Sequence, residues 1–142
     1  SPERCARLRA LGAHETIDYR AEPAWDKAVR ELTGGAGVDL AIDVGGAATI
    51  ERSVAATRRG GRVALVGLLG GMPGAVPSLF AAGVSITPHM VGSRDDFEAM
   101  NRAIAFHGLR PVIDSRYRFE QLPDALRRLE SGRHMGKIVI DF

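Results

Sequence analysis

The sequence predicts an α/β domain built on a mainly parallel sheet. Residues 38–44 and 62–69 are nearly continuous apolar runs, the pattern of parallel strands covered on both faces. Stretches with apolar residues at helical spacing alternate with such runs, as in successive strand-helix-strand units. The 17 glycines sit in short clusters at the ends of the apolar runs, where they punctuate elements rather than form a linker.

Taken in order, Ser1-Pro2-Glu3 predicts a helix start. It offers a side-chain cap, a proline whose missing N–H is harmless in the first turn, and an acid favoured by the helix dipole. Cys5, Leu8 and Leu11 form its apolar face, which makes Cys5 a core residue rather than a nucleophile, and Gly12 stops it. Residues 16–19 read as a short strand. A helix from about Pro23 carries Trp25, Val29 and Leu32 on one face and ends at Gly34-Gly35. Between the two long apolar runs, Ile50 and Val54 mark an amphipathic stretch, and Gly60-Gly61 and Gly70-Gly71 are expected simply to turn the chain. Residues 84–91 form another strand, and Pro88 within it points to a sheet edge or a bulge. Ser93 and Asp96 form a capping box for a helix through Phe97, Met100 and Ile104 that ends at Gly108. Residues 112–117 are extended, Leu122, Ala125, Leu126 and Leu129 make the last helical face up to Gly132, and residues 137–142 close the chain as a strand. No internal repeat or domain boundary stands out.

Composition excludes several functions. The net charge is only +2, with basic residues interspersed among acids, so no nucleic-acid footprint exists. No apolar run approaches the roughly 20 residues of a membrane span, and no secretory signal opens the chain, which predicts a cytoplasmic protein with no membrane partner. A single cysteine rules out an internal disulfide framework. His14, His89, His107 and His134 are far apart in sequence, without H-E-x-x-H or paired cysteines, so no metal ligand is assigned. There is no G-x-S-x-G nucleophile turn either.

Four stretches together carry a resemblance: Gly12-Ala13-His14-Glu15 through Ile17-Asp18-Tyr19-Arg20, Gly37-Val38-Asp39-Leu40-Ala41-Ile42-Asp43-Val44-Gly45-Gly46, Gly60-Gly61-Arg62-Val63-Ala64-Leu65-Val66-Gly67, and Ser131-Gly132-Arg133-His134-Met135-Gly136-Lys137-Ile138-Val139-Ile140. In this order they resemble the cofactor-binding domain of the medium-chain dehydrogenase/reductase superfamily, in its zinc alcohol dehydrogenase and quinone oxidoreductase branch. The resemblance implies a doubly wound, Rossmann-like sheet that is incomplete at its N-terminal side. The glycine-rich dinucleotide fingerprint is absent, and by the family's pattern it would lie roughly 20 residues before the ribose-reading position upstream of Ser1. The first strand, first helix, second strand and catalytic domain are then missing, and residues 16–19 would lack a neighbouring strand. The chain is accordingly expected to be a fragment of a longer polypeptide, inactive alone.

The same resemblance implies a cofactor site. Arg4, in the first helical turn, is matched to a residue reaching the ribose hydroxyls or a 2′-phosphate; a solvated surface arginine is the alternative. Tyr19 resembles a tyrosine beside that phosphate, the alternative being a ring buried against a helix. Together they favour NADP over NAD. Val44, Gly45, Gly67 and Leu68 end two adjacent strands at the crevice where such sheets bind ligands. Val91 and Gly92 would supply backbone groups to the carboxamide. Lys137 would approach the pyrophosphate or nicotinamide ribose, or else be solvated. Residues 84–91 would pair as the edge strand of a homodimer. The implied activity is hydride transfer to or from a small-molecule alcohol, carbonyl, quinone or enone, with the zinc dependence set in the missing domain. A non-catalytic nucleotide-binding or dimerisation module is the rival from another class.

Overall fold

The computed structural model describes residues 1–76 and 78–142, with the backbone alone at Leu79. Helices α1 (Pro2–Ala10) and α2 (Trp25–Leu32) precede strand β1 (Val38–Asp43), a 3-10 turn (Gly46–Ala48), α3 (Ile50–Ala56) and β2 (Thr57–Leu65). Then come α4 (Ser78–Ala82), β3 (Ser85–Pro88), α5 (Arg94–Phe106), β4 (Ile113–Arg118), α6 (Leu122–Glu130) and β5 (Lys137–Asp141). The α/β class with parallel pairing is as the sequence predicts. Where the sequence marks no boundary, the chain forms two compact units, 1–91 and 92–142. The strands follow the division: among the described residues β1, β2 and β3 form one sheet and β4 and β5 another.

In the first unit the sheet order is β1-β2-β3, all parallel, which puts β3 and its Pro88 at an edge, as the proline requires. Helix α3, flanked by α2 and α4, buries Ile50 and Val54 against Val63 and Val84, and Ala41, Leu65 and Ile86 pack around them. Strand alternation sends Leu40 and Ile42 to the other face, where they stay 48% and 67% exposed. Among the described residues of this unit that face is left largely uncovered, where the apolar runs predict burial on both faces. Leu40, Ile42, Ala64, Val66 and His89 instead line an open recess of about 350 Å³.

Three further expectations change in this unit. Residues 16–18 carry no regular secondary structure and Tyr19 begins a turn, so the strand expected at 16–19 does not form in the sheet. Helix α1 buries none of its residues, so Cys5 is half-buried rather than core, and Leu8 and Leu11 are exposed. Gly60 and Gly61 lie inside β2 rather than in a turn. The register runs from Val38 opposite Thr57 to Leu40 opposite Arg62, so β2 bulges between them, and Gly60 supplies the left-handed φ of 74°.

Arg30 ties this region together. Its guanidinium donates to four carbonyl oxygens, those of Ala55 (2.8 Å), Gly35 (3.1 Å), Ala36 (2.7 Å) and Thr57 (2.8 Å). It thereby satisfies the C-terminal end of α3 and fixes the loop entering β1.

In the second unit α5 begins with the predicted capping box, Ser93 Oγ accepting from Asp96 N and Asp96 Oδ2 accepting from Ser93 N. Strands β4 and β5 pair in parallel with α6 packed on both, and β5 stops at Asp141, one residue short of the predicted end. The register slips between Ile113 and Ser115, leaving Asp114 on a bulge. That bulge aims its carboxylate at the fork of Arg128, 3.0 Å at both oxygens, and at the Met135 amide at 2.9 Å.

Candidate cofactor site

Strands β1 and β2 end side by side, and Asp43, the last residue of β1, organises both loops that follow. Its carboxylate is 3% exposed and fully engaged. Oδ1 accepts from Gly45 N (3.0 Å), Gly46 N (2.9 Å) and Thr49 Oγ1 (2.8 Å), and Oδ2 accepts from Ser53 Oγ (2.5 Å). Its backbone carbonyl meanwhile accepts from Val66 N (2.8 Å) and Gly67 N (3.3 Å) of the second loop. Burial pushes the Asp43 carboxyl upward, but the donors from Ser53, Gly46, Thr49 and Gly45 outweigh it and hold the group below the ordinary carboxylate range.

The two loops are also stitched to each other, by Gly70 N to Gly45 O (2.6 Å) and Ala47 N to Gly71 O (3.1 Å). This closeness is why glycines are needed. A Cβ on Gly67 would meet the Val44 carbonyl at 2.4 Å, and one on Gly46 would meet the Gly71 carbonyl at 2.6 Å. Gly70, expected merely to turn the chain, belongs to the same contact, since its Cβ would come within 2.7 Å of both Ala48 Cβ and Gly45 O. At Gly45 the space is taken by the Thr49 side chain, 2.3 Å from the position a Cβ would occupy. The structure thus brings Val44, Gly45, Gly67 and Leu68 together, with the Val44 and Leu68 side chains 53% and 46% exposed as apolar surface at the carboxyl end of the sheet.

The remaining predicted residues lie elsewhere. Arg4 is in the first turn of α1, and the Ser1 nitrogen stands 3.2 Å from Asp18 Oδ2, so that turn adjoins the segment carrying Tyr19. The Tyr19 ring is 64% exposed, not packed under a helix, and the Arg20 guanidinium lies 6.0 Å from its centroid. Val91 is 94% exposed in the coil after β3. Gly92 follows it at the start of the second unit, where a Cβ would press on Asp96 Cβ at 2.9 Å. Lys137 opens β5 opposite Ile113, its amide bonded to Val112 O at 2.8 Å. Gly136, with φ of 100° and the Val112 carbonyl 2.2 Å from any Cβ, allows that crossing.

Asp43, Thr49 and Ser53 are the site residues that sequence reasoning misses. An acid closing an apolar strand, followed by two glycines and then hydroxyls six and ten residues on, is the signal that could have found them. Chemically, the loops offer apolar contact and backbone groups, and the one carboxylate is sequestered. No three His, Cys, Asp or Glu side chains among the described residues converge as a metal site.

Comparison with known proteins identifies the family. Residues 11–140 match the family model described as zinc-binding dehydrogenase. A zinc-type alcohol dehydrogenase-like protein of Schizosaccharomyces pombe is 30% identical over 99% of this chain and 42% of its own length. Among solved structures, an NAD-dependent alcohol dehydrogenase superposes with a TM-score of 0.84 at 35% identity, over all of this chain and 42% of that one. A mycobacterial protein complexed with NADPH gives a TM-score of 0.77 at 30% identity, over 99% and 46%. The chain thus spans less than half the length of these relatives, and the resemblance to the medium-chain dehydrogenase/reductase superfamily is borne out. This chain belongs to the zinc-binding dehydrogenase family.

Proposed function

We propose that this chain is the cofactor-binding part of an NAD(P)-dependent oxidoreductase, acting on an alcohol, carbonyl, quinone or enone held by another part of the polypeptide. The observation that carries the reading is the stitched pair of loops at the carboxyl ends of β1 and β2, where open α/β sheets bind their ligands. NAD(P)H bound there supplies the hydride. The chain's own contribution is position: Val44 and Leu68 give apolar surface, and the rigid backbone of Val44–Gly45 and Gly67–Leu68 holds ribose and nicotinamide in one orientation. These residues fit that half of the cofactor. The sequence has no glycine-rich phosphate loop; Lys137 is assigned to the pyrophosphate or the nicotinamide ribose. Val91 and Gly92 are assigned to the carboxamide.

NADP is the preferred cofactor in this reading. Tyr19 is exposed with the Arg20 guanidinium near its face, and Arg4 stands in the adjoining turn, an arrangement suited to a 2′-phosphate. The relatives' names, one NAD-dependent and one solved with NADPH, support either dinucleotide. Two copies associate through residues 84–91, whose strand β3 stands at the sheet edge. No helix among the described residues is long and apolar enough to cross a membrane, and a cytoplasmic location is proposed.

Fluorescence titration of the whole polypeptide with NADPH and NADH tests the reading. Binding of either supports it, and binding of neither would favour a non-catalytic dimerisation module. Arg4→Ala is expected to weaken NADPH roughly tenfold more than NADH through loss of charge-assisted hydrogen bonds. Equal losses would refute the 2′-phosphate role.

A further inference from the structure

We infer that Asp43 is the positioning residue of the cofactor site, acting on the nicotinamide half of the dinucleotide through the two loops it holds. This rests on the reading of those loops as the site. Asp43 is 3% exposed and both its carboxylate oxygens accept hydrogen bonds from its own loop and helix, so it reaches a ligand only through them. What it does is geometric. Its side chain fixes the amides of Gly45 and Gly46 and clamps them to Thr49 and Ser53. Its own carbonyl holds the amides of Val66 and Gly67, so a single residue sets the entry of both loops.

Ser53 belongs to α3, which packs on β1 and β2, so the register of the loops is referred to the core of the unit. An uncompensated carboxylate at this depth would be strongly disfavoured, and hydrogen bonds to a charged group are the stronger kind. Because the loops meet backbone to backbone at Gly67 and Val44, a shift in one is passed to the other. Loss of the Asp43 acceptor therefore displaces Val44 and Leu68 together, the two side chains assigned to ribose and nicotinamide. The adenosine end, assigned to Arg4 and Tyr19, lies on segments that Asp43 does not bond.

The experiment measures two affinities in the whole polypeptide, one for NAD(P)H and one for the adenine half alone, adenosine 2′,5′-bisphosphate or 5′-AMP. Asp43→Ala is expected to weaken NAD(P)H at least tenfold while leaving the adenine fragment within twofold of wild type. Asp43→Asn keeps an acceptor for the two glycine amides and should recover most of the loss. Thr49→Val removes one bond without emptying the site. It is expected to weaken NAD(P)H two- to fivefold with the fragment unchanged, which keeps the test alive if Asp43→Ala does not fold. Parallel loss of both affinities, or unchanged NAD(P)H affinity, overturns the positioning role while the site stands. Wild-type protein that binds the fragment but no nicotinamide dinucleotide removes the site and this role together.

Discussion

A Cβ placed on Gly67 would stand 2.4 Å from the carbonyl oxygen of Val44, so the loops after β1 and β2 touch at their backbones. Backbone cannot rotate aside as a long side chain can, so Gly67→Ala must separate the loops. The φ of Gly67 is not left-handed, which leaves the clash as the whole penalty. Overpacking of this kind destabilises by about 1–3 kcal/mol. The expected outcome is a fall in thermal midpoint of several degrees together with weaker NAD(P)H binding. Gly74 is the control, since it has no left-handed φ and a Cβ there meets nothing within 4 Å. A Gly67→Ala protein that melts with the Gly74→Ala protein would show that the loops have room to part.

Much of this was legible in the sequence, for identifiable reasons. Periodicity found α3 through Ile50 and Val54, and the Ser93/Asp96 box found the start of α5, because both are local signals. Pro88 located a sheet edge because its missing N–H is a local fact with a sheet-wide consequence. Residues 16–19 failed as a strand because pairing is not a property of the segment but of its neighbour. Gly67 and Gly70 look alike as glycines after an apolar run; only the loop 20 to 25 residues earlier explains them, and it is far away in sequence. Asp43 was visible as an acid at a strand end, but its donors at Thr49 and Ser53 come into reach only once the 3-10 turn and α3 fold back over it. The recess beside Leu40 and Ile42 was hidden because an unbroken apolar run reads as burial on two faces whether or not a second layer covers it.

Arg30 should be among the most sensitive surface-adjacent positions. Arg30→Met keeps the aliphatic stem but removes all four donor contacts, leaving the carbonyls of Gly35, Ala36, Ala55 and Thr57 to find other partners. With hydrogen bonds to a charged group as the guide, the loss is roughly 2–4 kcal/mol. Arg30→Lys should recover little, since one ammonium cannot reproduce the planar fork. Urea denaturation checks this, and a lysine variant as stable as wild type would show that a point charge suffices.

Acid should weaken both units. Asp43 is held low by its hydrogen bonds against an opposing burial effect, and Asp114 is held far below the ordinary range, chiefly by the Arg128 fork and then by the Met135 amide. A carboxyl whose folded pKa is depressed contributes stability that is present above its unfolded value, near pH 4, and is lost as pH falls toward the folded value. Thermal midpoints are therefore expected to be flat with respect to these groups from about pH 5 to 8 and to drop below about pH 4. Asp43→Asn and Asp114→Asn should each flatten that drop while lowering stability at pH 7. A variant that keeps the wild-type acid slope would remove its residue from the cause.

The edge strand gives the last prediction. Strand β3 bonds to β2 on one side, and among the described residues no strand of the sheet lies on its other side. Beyond it, Met90 and Val91 are 89% and 94% exposed, an apolar extension that a protein without a partner there would normally blunt with charge. Because the two side chains contribute so little to packing, replacing both should leave the fold within about 0.5 kcal/mol of wild type. Met90→Asp with Val91→Asp would instead bring like charges together across any interface made by two copies of this edge. If two copies pair through this edge as proposed, the whole polypeptide should shift from dimer to monomer in light scattering at micromolar concentration, with an unchanged thermal transition under dissociating dilution. A double variant with the same mass in solution as the wild type would take this edge out of the proposed association and leave β3 as a strand terminated by its proline alone.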